Sequence, residues 1–389
     1  MAVYKLFPSQ DASIYSSASA MNTGLDPILD VANYVTDLNP ISHVARSLVK
    51  FNQDQINNVL DNIASVTESL NFTASLKSFI AKATNVILDS NIEIYPISGS
   101  WNNGSGQYLD LRENTNGVSW VYSAYSGSTA WPTLFYNDLT TGSYSGSNNA
   151  GGGVWWTGSG GYTDIGSLRY TQSFNLRSDK DLNTEVTDIV KVWYSSSKNL
   201  QGNGLYPIDN EGFIIKWVDN IEFTTSSAVT PQLSYYSVDT NTIYPPQLEI
   251  KWRDYSYETG SLEVINTPSL YVALDNNSGV FYSESVNQFR LNVRPQFPPR
   301  VYTTSSMYTF NNALPSSSYY AIKDLDTNEF IVDFDTQNTQ ISCDTTGSYF
   351  TVYMNGLQPE RYYQILIQTT IDNNVIVLDE NYSFKVVNG

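Results

Sequence analysis

The sequence predicts an all-β protein built from β-sandwiches, and three observations predict it. Charged residues make up only 15% of the chain against 41% hydrophobic ones, so its polarity comes from Ser, Thr, Asn and Gln. Mixed with Tyr and Val, that composition suits strands and turns better than helices. The apolar runs are short and punctuated by Gly, Pro and Asn, as in a series of strands joined by turns. Only two stretches repeat apolar residues at helical spacing. The length of 389 residues points to two or three domains, because a single core stops growing near ~250–300 residues.

Residues 3–7, 12–15 and 28–34 read as strands, Asn22-Thr23-Gly24 as a turn, and 44–51 as a further strand. Ile56, Val59, Leu60 and Ile63 then form one apolar helical stripe behind a capping box of Asn52 and Gln55. Strands resume at 72–81, 86–88 and 92–97. Between 114 and 163 the only charged residue is Asp138, and the segment combines Trp120, Trp131, Trp155 and Trp156 with Gly151-Gly152-Gly153 and Gly158-Ser159-Gly160-Gly161. Loops and short strands are expected there. Residues 168–176 alternate as a strand. Val186, Ile189, Val190 and Trp193 share a helical face behind Asn183 or Thr184 as cap. Strands at 213–217, 221–224 and 247–252 close a first domain over 1–252. A polar connector, 253–260, leads to short strands at 262–265, 270–274, 289–293, 319–323, 330–334, 350–354, 362–369, 375–378 and 382–387. Pro268, Pro295, Pro298, Pro299 and Pro315 fall between them, where proline belongs. A division near Arg300 gives 253–300 and 301–389 as further parts.

The chain has one histidine, His43, and one cysteine, Cys343, beside 8 Trp, 29 Tyr and 16 Phe. Most proton-transfer and metal chemistry relies on His, Cys or clustered carboxylates, so the expectation is a non-enzymatic structural or binding protein. A Ser-His-Asp arrangement would have to use His43, and no Gly-x-Ser-x-Gly elbow accompanies it. A paired-carboxylate hydrolase needs no histidine and survives as an alternative. Asp324-Leu325-Asp326-Thr327-Asn328-Glu329 begins like a calcium loop but lacks the sixth-position glycine and the twelfth-position glutamate; a hairpin turn accounts for it. The glycine clusters lack the Gly-Lys-Ser/Thr of a phosphate loop. Neither metal nor cofactor is expected. Acidic residues outnumber basic ones 38 to 20, for a net charge of −18, which speaks against nucleic acid as partner. No run approaches the ~18 apolar residues of a membrane span, and the N-terminus reads as lacking a signal peptide.

The aromatic, nearly uncharged segment is the candidate site. Tyr and Trp are enriched at protein interfaces and stack on sugar rings, so Trp131, Tyr136, Trp155, Trp156 and Tyr162 are the expected contacts for a neighbouring subunit or a glycan.

Several motifs occur in an order that resembles the DNRLRE family of jelly-roll-like β-sandwich domains. Asp11-Ala12-Ser13-Ile14-Tyr15 precedes Asn22-Thr23-Gly24 and Ile28-Leu29-Asp30-Val31. Arg46-Ser47-Leu48-Val49-Lys50-Phe51 precedes the first helix, and Trp120 and Trp131 match midsection tryptophans. Thr187-Asp188-Ile189-Val190-Lys191-Val192-Trp193 is followed by Asn203-Gly204-Leu205 and by Pro246-Gln247-Leu248-Glu249-Ile250. The glycine-rich insertion around 140–161 and Glu185 beside the helix cap depart from the family pattern. Leu357-Gln358-Pro359-Glu360-Arg361-Tyr362-Tyr363 is similar to the tyrosine corner of fibronectin type III-like sandwiches, with Tyr363 as the corner residue. These resemblances imply a jelly-roll-like sandwich with two short helices over 1–252, then one or two Ig/fibronectin type III-like sandwiches, 253–300 being a connector or a small Ig-like domain.

The openings of virion structural proteins from marine T4-like tailed phages of cyanobacteria also resemble this chain, at Tyr4-Lys5-Leu6-Phe7-Pro8-Ser9-Gln10-Asp11-Ala12-Ser13 and at Met21-Asn22-Thr23-Gly24-Leu25-Asp26. That resemblance implies a neck, tail or baseplate accessory assembled in the host cytoplasm, docked by its jelly-roll domain, with other virion proteins and copies of itself as partners and no catalytic residues. A host-adhesion protein that binds surface glycan through the Trp/Tyr segment is the alternative.

Overall fold

The computed structural model describes residues 2–35, 42–67, 70–108, 116–124, 129–131, 151–156, 168–200, 208–224, 230–297 and 311–389. Across them the chain is all-β and sandwich-like, its strands joined by three short α-helices. It separates into two compact units. The larger comprises Leu6–Asp61 and Thr73–Glu249; the smaller comprises Met1–Lys5, Asn62–Phe72 and Ile250–Gly389. One four-stranded sheet runs in the order Ala2–Leu6, Gln247–Trp252, Phe72–Ser78, Leu182–Glu185. No helix among the described residues is long and apolar enough to cross a membrane.

The larger unit is organised by an eight-stranded sheet. Its order is Tyr170–Phe174, Ser90–Pro96, Phe213–Trp217, Ser42–Phe51, Ile28–Val35, Gln232–Tyr236, Ile80–Thr84, with Pro8–Tyr15 pairing Ser42–Phe51 as well. The ten-residue strand Ser42–Phe51 is the hub: it pairs antiparallel with Pro8–Tyr15, Ile28–Val35 and Phe213–Trp217. Helix Gln53–Thr67 follows directly, and its stripe of Ile56, Val59, Leu60 and Ile63 is buried. Asn52 caps it by accepting the backbone N–H of Asp54 at 2.8 Å and of Gln55 at 3.2 Å. Helix Thr187–Ser197 buries Ile189, Val190 and Trp193 as the spacing predicts.

Three local expectations fail for physical reasons in the larger unit, and in the smaller one the expected strand at 262–265 is only an isolated bridge from Val264 to Ala313. Asn183 and Thr184 do not cap the second helix, because they pair with Lys77 and Leu76 in the strand Leu182–Glu185; the first helical residue, Thr187, turns its hydroxyl to the Ala74 N–H instead. Residues 221–224 are not a strand. The helix Asp219–Glu222 occupies the position, and it aims Glu222 inward. The apolar run at 86–88 forms no strand either, and its Ile87 and Leu88 are exposed.

The smaller unit is a two-sheet sandwich. One sheet orders Leu270–Asp275, Val286–Pro295, Gly347–Tyr353, Ser342–Asp344; the other orders Val280–Tyr282, Asn374–Val387, Tyr362–Ile371, Ser318–Asp324, Phe330–Val332. Residues 253–297 and 311–389 thus contribute strands to the same two sheets. Alternate residues point inward: Val272, Phe289, Leu291, Val293, Phe350 and Val352 from the first sheet meet Tyr320, Ile322, Ile365, Ile367, Phe384 and Val386 from the second. Tyr320 stacks on Phe350 with ring centroids 4.5 Å apart, joining the layers. Tyr363 is buried and its hydroxyl donates to the Gln358 carbonyl at 2.9 Å, a tyrosine corner at the residue expected. The 324–329 stretch is a hairpin turn: the Asp324 carboxylate accepts the N–H groups of Asp326 and Thr327, and Arg361 fills its other side at 2.6 and 2.9 Å.

Candidate functional site

The described part of the aromatic segment lies inside the larger unit. Trp131 and Trp155 are 5% and 6% exposed and pack with Trp101, Trp120, Tyr95, Ile14, Val44, Leu48 and Ile214 in one apolar cluster. Their polar edges are satisfied there: the Trp131 indole N–H donates to the Ser119 carbonyl at 3.0 Å, and the Trp101 indole donates to Glu211 at 2.8 Å. Trp156 is half-buried and ties down through its backbone N–H to Pro96 at 2.8 Å. Tyr136 and Tyr162 lie outside the described residues. As placed, Trp131 and Trp155 offer a partner almost no surface.

What the rings enclose is ionic. Arg46, on the hub strand, has no exposed surface and forks onto the equally buried Glu222, Nε at 2.7 Å and Nη2 at 2.9 Å from the two carboxylate oxygens. Its remaining nitrogen, Nη1, donates to the Gly152 carbonyl at 2.5 Å. The guanidinium lies 4.9 Å from the Trp120 ring and 5.2 Å from the Trp155 ring, a cation held between two aromatic faces. Lys216, on the neighbouring strand, reaches Glu222 at 3.3 Å, Glu93 at 3.4 Å, Asp219 at 2.7 Å and the Trp217 carbonyl at 2.9 Å. Arg169 closes the chain of charges at 2.6 Å from Glu93. Tyr95 stacks on Trp155 and donates to Glu93 at 3.2 Å; burial first, then the Glu93 charge, push its hydroxyl well above the ordinary tyrosine value.

Glycine makes this packing possible. Gly152 and Gly153 adopt φ of +87° and +91°, in the left-handed region, and a Cβ on Gly152 would sit 2.6 Å from Arg46 Nη1 and 2.9 Å from the Trp120 ring. The triple glycine therefore brings backbone against the guanidinium, a closer task than interrupting strands.

Chemically, the cluster balances buried charge rather than presenting it. Glu93 and Glu222, two of the unit's buried carboxylates, are both committed to cations at 4% and 0% exposure. A carboxylate so enclosed has no surface from which to protonate a glycosidic oxygen. Arg46, Lys216, Glu93 and Glu222 were not foreseen as a group: Arg46 and Glu93 lie far in sequence from each other and from Lys216 and Glu222, and the local signal was a single cation within the apolar strand Phe213–Trp217. Cys343 is buried in a strand, and burial pushes its thiol up, which makes it a poor nucleophile. His43 is half-buried and in register with Tyr34 between two strands. Among the described residues no group of three or more His, Cys, Asp and Glu is placed to hold a metal ion.

No protein-family profile matches the sequence, and no curated protein does. Among solved structures the chain is similar to a DUF4785 family protein from Legionella pneumophila, with 8% identity and a TM-score of 0.17 over 99% of this chain. It spans 62% of the length of that protein, and the superposition is too loose to carry fold or function.

Proposed function

We propose that the chain is a non-catalytic structural protein of a tailed-phage particle, a neck, tail or baseplate accessory whose DNRLRE-like larger unit docks to the particle. The observation that carries this reading is where the resemblance-bearing residues sit. Asn22, from the opening motif, donates to the carbonyls of Asn103 and Val118 at 2.7 Å each and accepts the Gly106 N–H at 2.7 Å. Asp11 accepts the Val238 N–H at 2.7 Å, and Thr23 exchanges hydrogen bonds with the backbone of Ser13. Arg46, from the next motif, anchors the ionic core. The residues that carry the two resemblances thus serve architecture, which supports a structural reading over a catalytic one. The acidic balance of 38 to 20 suits a protein kept soluble before assembly.

Mass spectrometry of purified particles from the source phage, with the chain located in a particle reconstruction, is the test. Stoichiometric presence at one symmetric position is the expected outcome. Particles that assemble and infect without the chain would end this proposal. The burial of Trp131 and Trp155 takes those two rings out of the glycan-binding alternative, while Trp156 is half-buried and Tyr136 and Tyr162 lie outside the described residues.

A further inference from the structure

The strand Asn374–Val387 of the smaller unit is covered along only part of its outer edge. It pairs with Tyr362–Ile371 on one side. On the other, Val280–Tyr282 pairs with Lys385–Val387, and Asn277 donates to the Ser383 carbonyl at 3.1 Å. Over Asn374–Tyr382 no described strand lies beside it. A two-residue turn, Asp372-Asn373, with φ of +49° and +63°, closes the hairpin on the pair Ile371 and Asn374. In such a turn the closing pair exchanges both hydrogen bonds. Alternation then aims the N–H and C=O groups of Val375 and Val377 away from Tyr362–Ile371. Those groups have no partner among the described residues.

Open edges are ordinarily blunted by a charge, a proline or a bulge. The run Asn374-Val375-Ile376-Val377-Leu378 carries none of these. Val375 and Val377 are 61% and 52% exposed on the outer face, while Ile376 and Leu378 pack half-buried against the core. The register slips only beyond them, at Asp379-Glu380-Asn381, where Asn381 has φ of +56° and Asp379 accepts the N–H of Asn381 and the amide of Gln364. An uncharged edge is therefore bracketed by exposed carboxylates, Asp372 at the turn and Asp379 and Glu380 at the slip. None of the three meets a cation among the described residues. The flanking strand of the opposite sheet, whose Val272 carbonyl accepts Tyr382 at 2.8 Å, carries Asp275 and no cation. Arg290 and Arg294 stand one strand further in, the first paired with Asp344 and the second over the Tyr271 ring.

We infer that the Asn374–Leu378 edge takes up an extended segment of a partner protein by strand addition, the segment carrying apolar or Thr side chains at its centre and Lys or Arg at both ends. The backbone sets the mode, because Val375 and Val377 offer donors and acceptors at strand spacing, which an added strand satisfies. Val375 and Val377 on one face, with Ile376 and Leu378 on the other, give its central side chains apolar neighbours. Charge sets the ends and selects a basic partner over a second copy. Antiparallel pairing of this edge with itself about Ile376 would set Asp372 opposite Glu380, and two chains of net charge −18 repel in any register. Carboxylates beside an apolar strand also serve as guards against aggregation, and the two roles give opposite results below. The inference concerns the isolated chain and does not depend on a place in a virion.

Fluorescence anisotropy of the full chain with a labelled peptide, Lys-Lys-Thr-Val-Thr-Val-Thr-Lys-Lys, tests the inference, with the same peptide ended in Glu as control. Saturable binding of the Lys-ended peptide is expected, weakening as salt is added. Amide exchange at Val375 and Val377 should be fast in the free chain and slow in the complex. Val377→Pro removes an outward N–H without touching a hairpin bond, and it should lower affinity roughly tenfold or more. Val375→Lys should act in the same direction if the proline variant melts early. Asp379→Asn with Glu380→Gln should weaken binding several-fold; if the carboxylates only guard the edge, that variant self-associates and no peptide binding exists to weaken. Absence of saturable binding, equal binding of the Glu-ended peptide, or unchanged affinity in Val377→Pro and Val375→Lys each overturns the assignment. So does slow exchange at Val375 and Val377 in the free chain, which would mean the edge is already taken, or a dimer of the chain that Val377→Pro abolishes, which would make the occupant a second copy.

Discussion

Arg46 concentrates the protein's use of buried charge in one residue. Removing its head group takes from the buried Glu222 the fork that binds both its oxygens, while Lys216 stands at 3.3 Å. An uncompensated buried carboxylate is costly, and a broken pair of this kind typically loses about 3–5 kcal/mol. Chemical denaturation of Arg46→Met should show a loss of that size, and Arg46→Met combined with Glu222→Leu should recover part of it by removing the stranded charge. A loss below about 1 kcal/mol in the single variant would mean the pair contributes no more than a surface bridge. Asp11 makes the opposite demonstration. Burial is the main cause that lifts its carboxyl to about 7, opposed by the Val238 N–H and aided by the Asp239 charge. A folded-state value above the unfolded ~3.9 means the folded protein holds the proton more tightly. The stabilisation is therefore complete below ~3.9 and is lost as pH rises through about 7. Melting temperatures should fall from pH 5 to pH 8 in the native chain. Asp11→Asn, which keeps an acceptor for Val238 without a charge to bury, should show a flatter profile. Neither role was legible in the sequence, where Arg46 and Asp11 appeared only as letters of a motif. Their partners Glu222 and Val238 stand 176 and 227 residues away, beyond any local pattern.

The elements were legible where one local signal dominated. The two longer helices follow from their apolar stripes, since Ile56, Val59, Leu60 and Ile63 recur at a spacing that only a helix brings to one face. The tyrosine corner at Tyr363 was legible by a different route, the resemblance of Leu357–Tyr363 to a known corner motif. Reading failed where tertiary contacts decided: Ile221 and Glu222 look extended, yet the chain turns there to place a carboxylate beneath Arg46. The aromatic segment shows the limit most clearly. Its low charge and many rings suggest a surface, but the same composition serves to wrap a buried cation, and composition cannot distinguish the two. The glycines that permit the wrapping are sensitive sites. Gly152→Ala adds a methyl at φ +87° and within 2.6 Å of Arg46 Nη1, and thermal unfolding should show a loss of at least about 1–3 kcal/mol. A variant that melts like the native chain would show that the 151–153 backbone moves aside at no cost.

At the scale of the molecule, the smaller unit is assembled from distant stretches of chain. Val3 and Lys5 wall a small cavity with Tyr320, Ile322 and Val352. Lys5 donates to the Ile331 carbonyl at 3.2 Å, its own carbonyl accepts Asn355 at 2.6 Å, and Tyr4 meets Tyr353 edge to face. A fragment of residues 250–389 keeps every strand of the sandwich but lacks these contacts. Its amides at Tyr320, Ile322 and Val352 should exchange faster than in the full chain, because local opening follows lost packing. Equal protection in the fragment would show that the first residues merely decorate a unit already complete.

The same arrangement sets a clock. Lys5 and Ile331 are 326 residues apart, and a ribosome adding about 5–20 residues per second needs on the order of tens of seconds to supply the second after the first. The strand Ala2–Leu6 is made long before either its sheet neighbour Gln247–Trp252 or Ile331. During that interval its edge is open to any other strand that passes, so crowded or accelerated synthesis should cost yield of soluble protein before it costs stability of the finished fold.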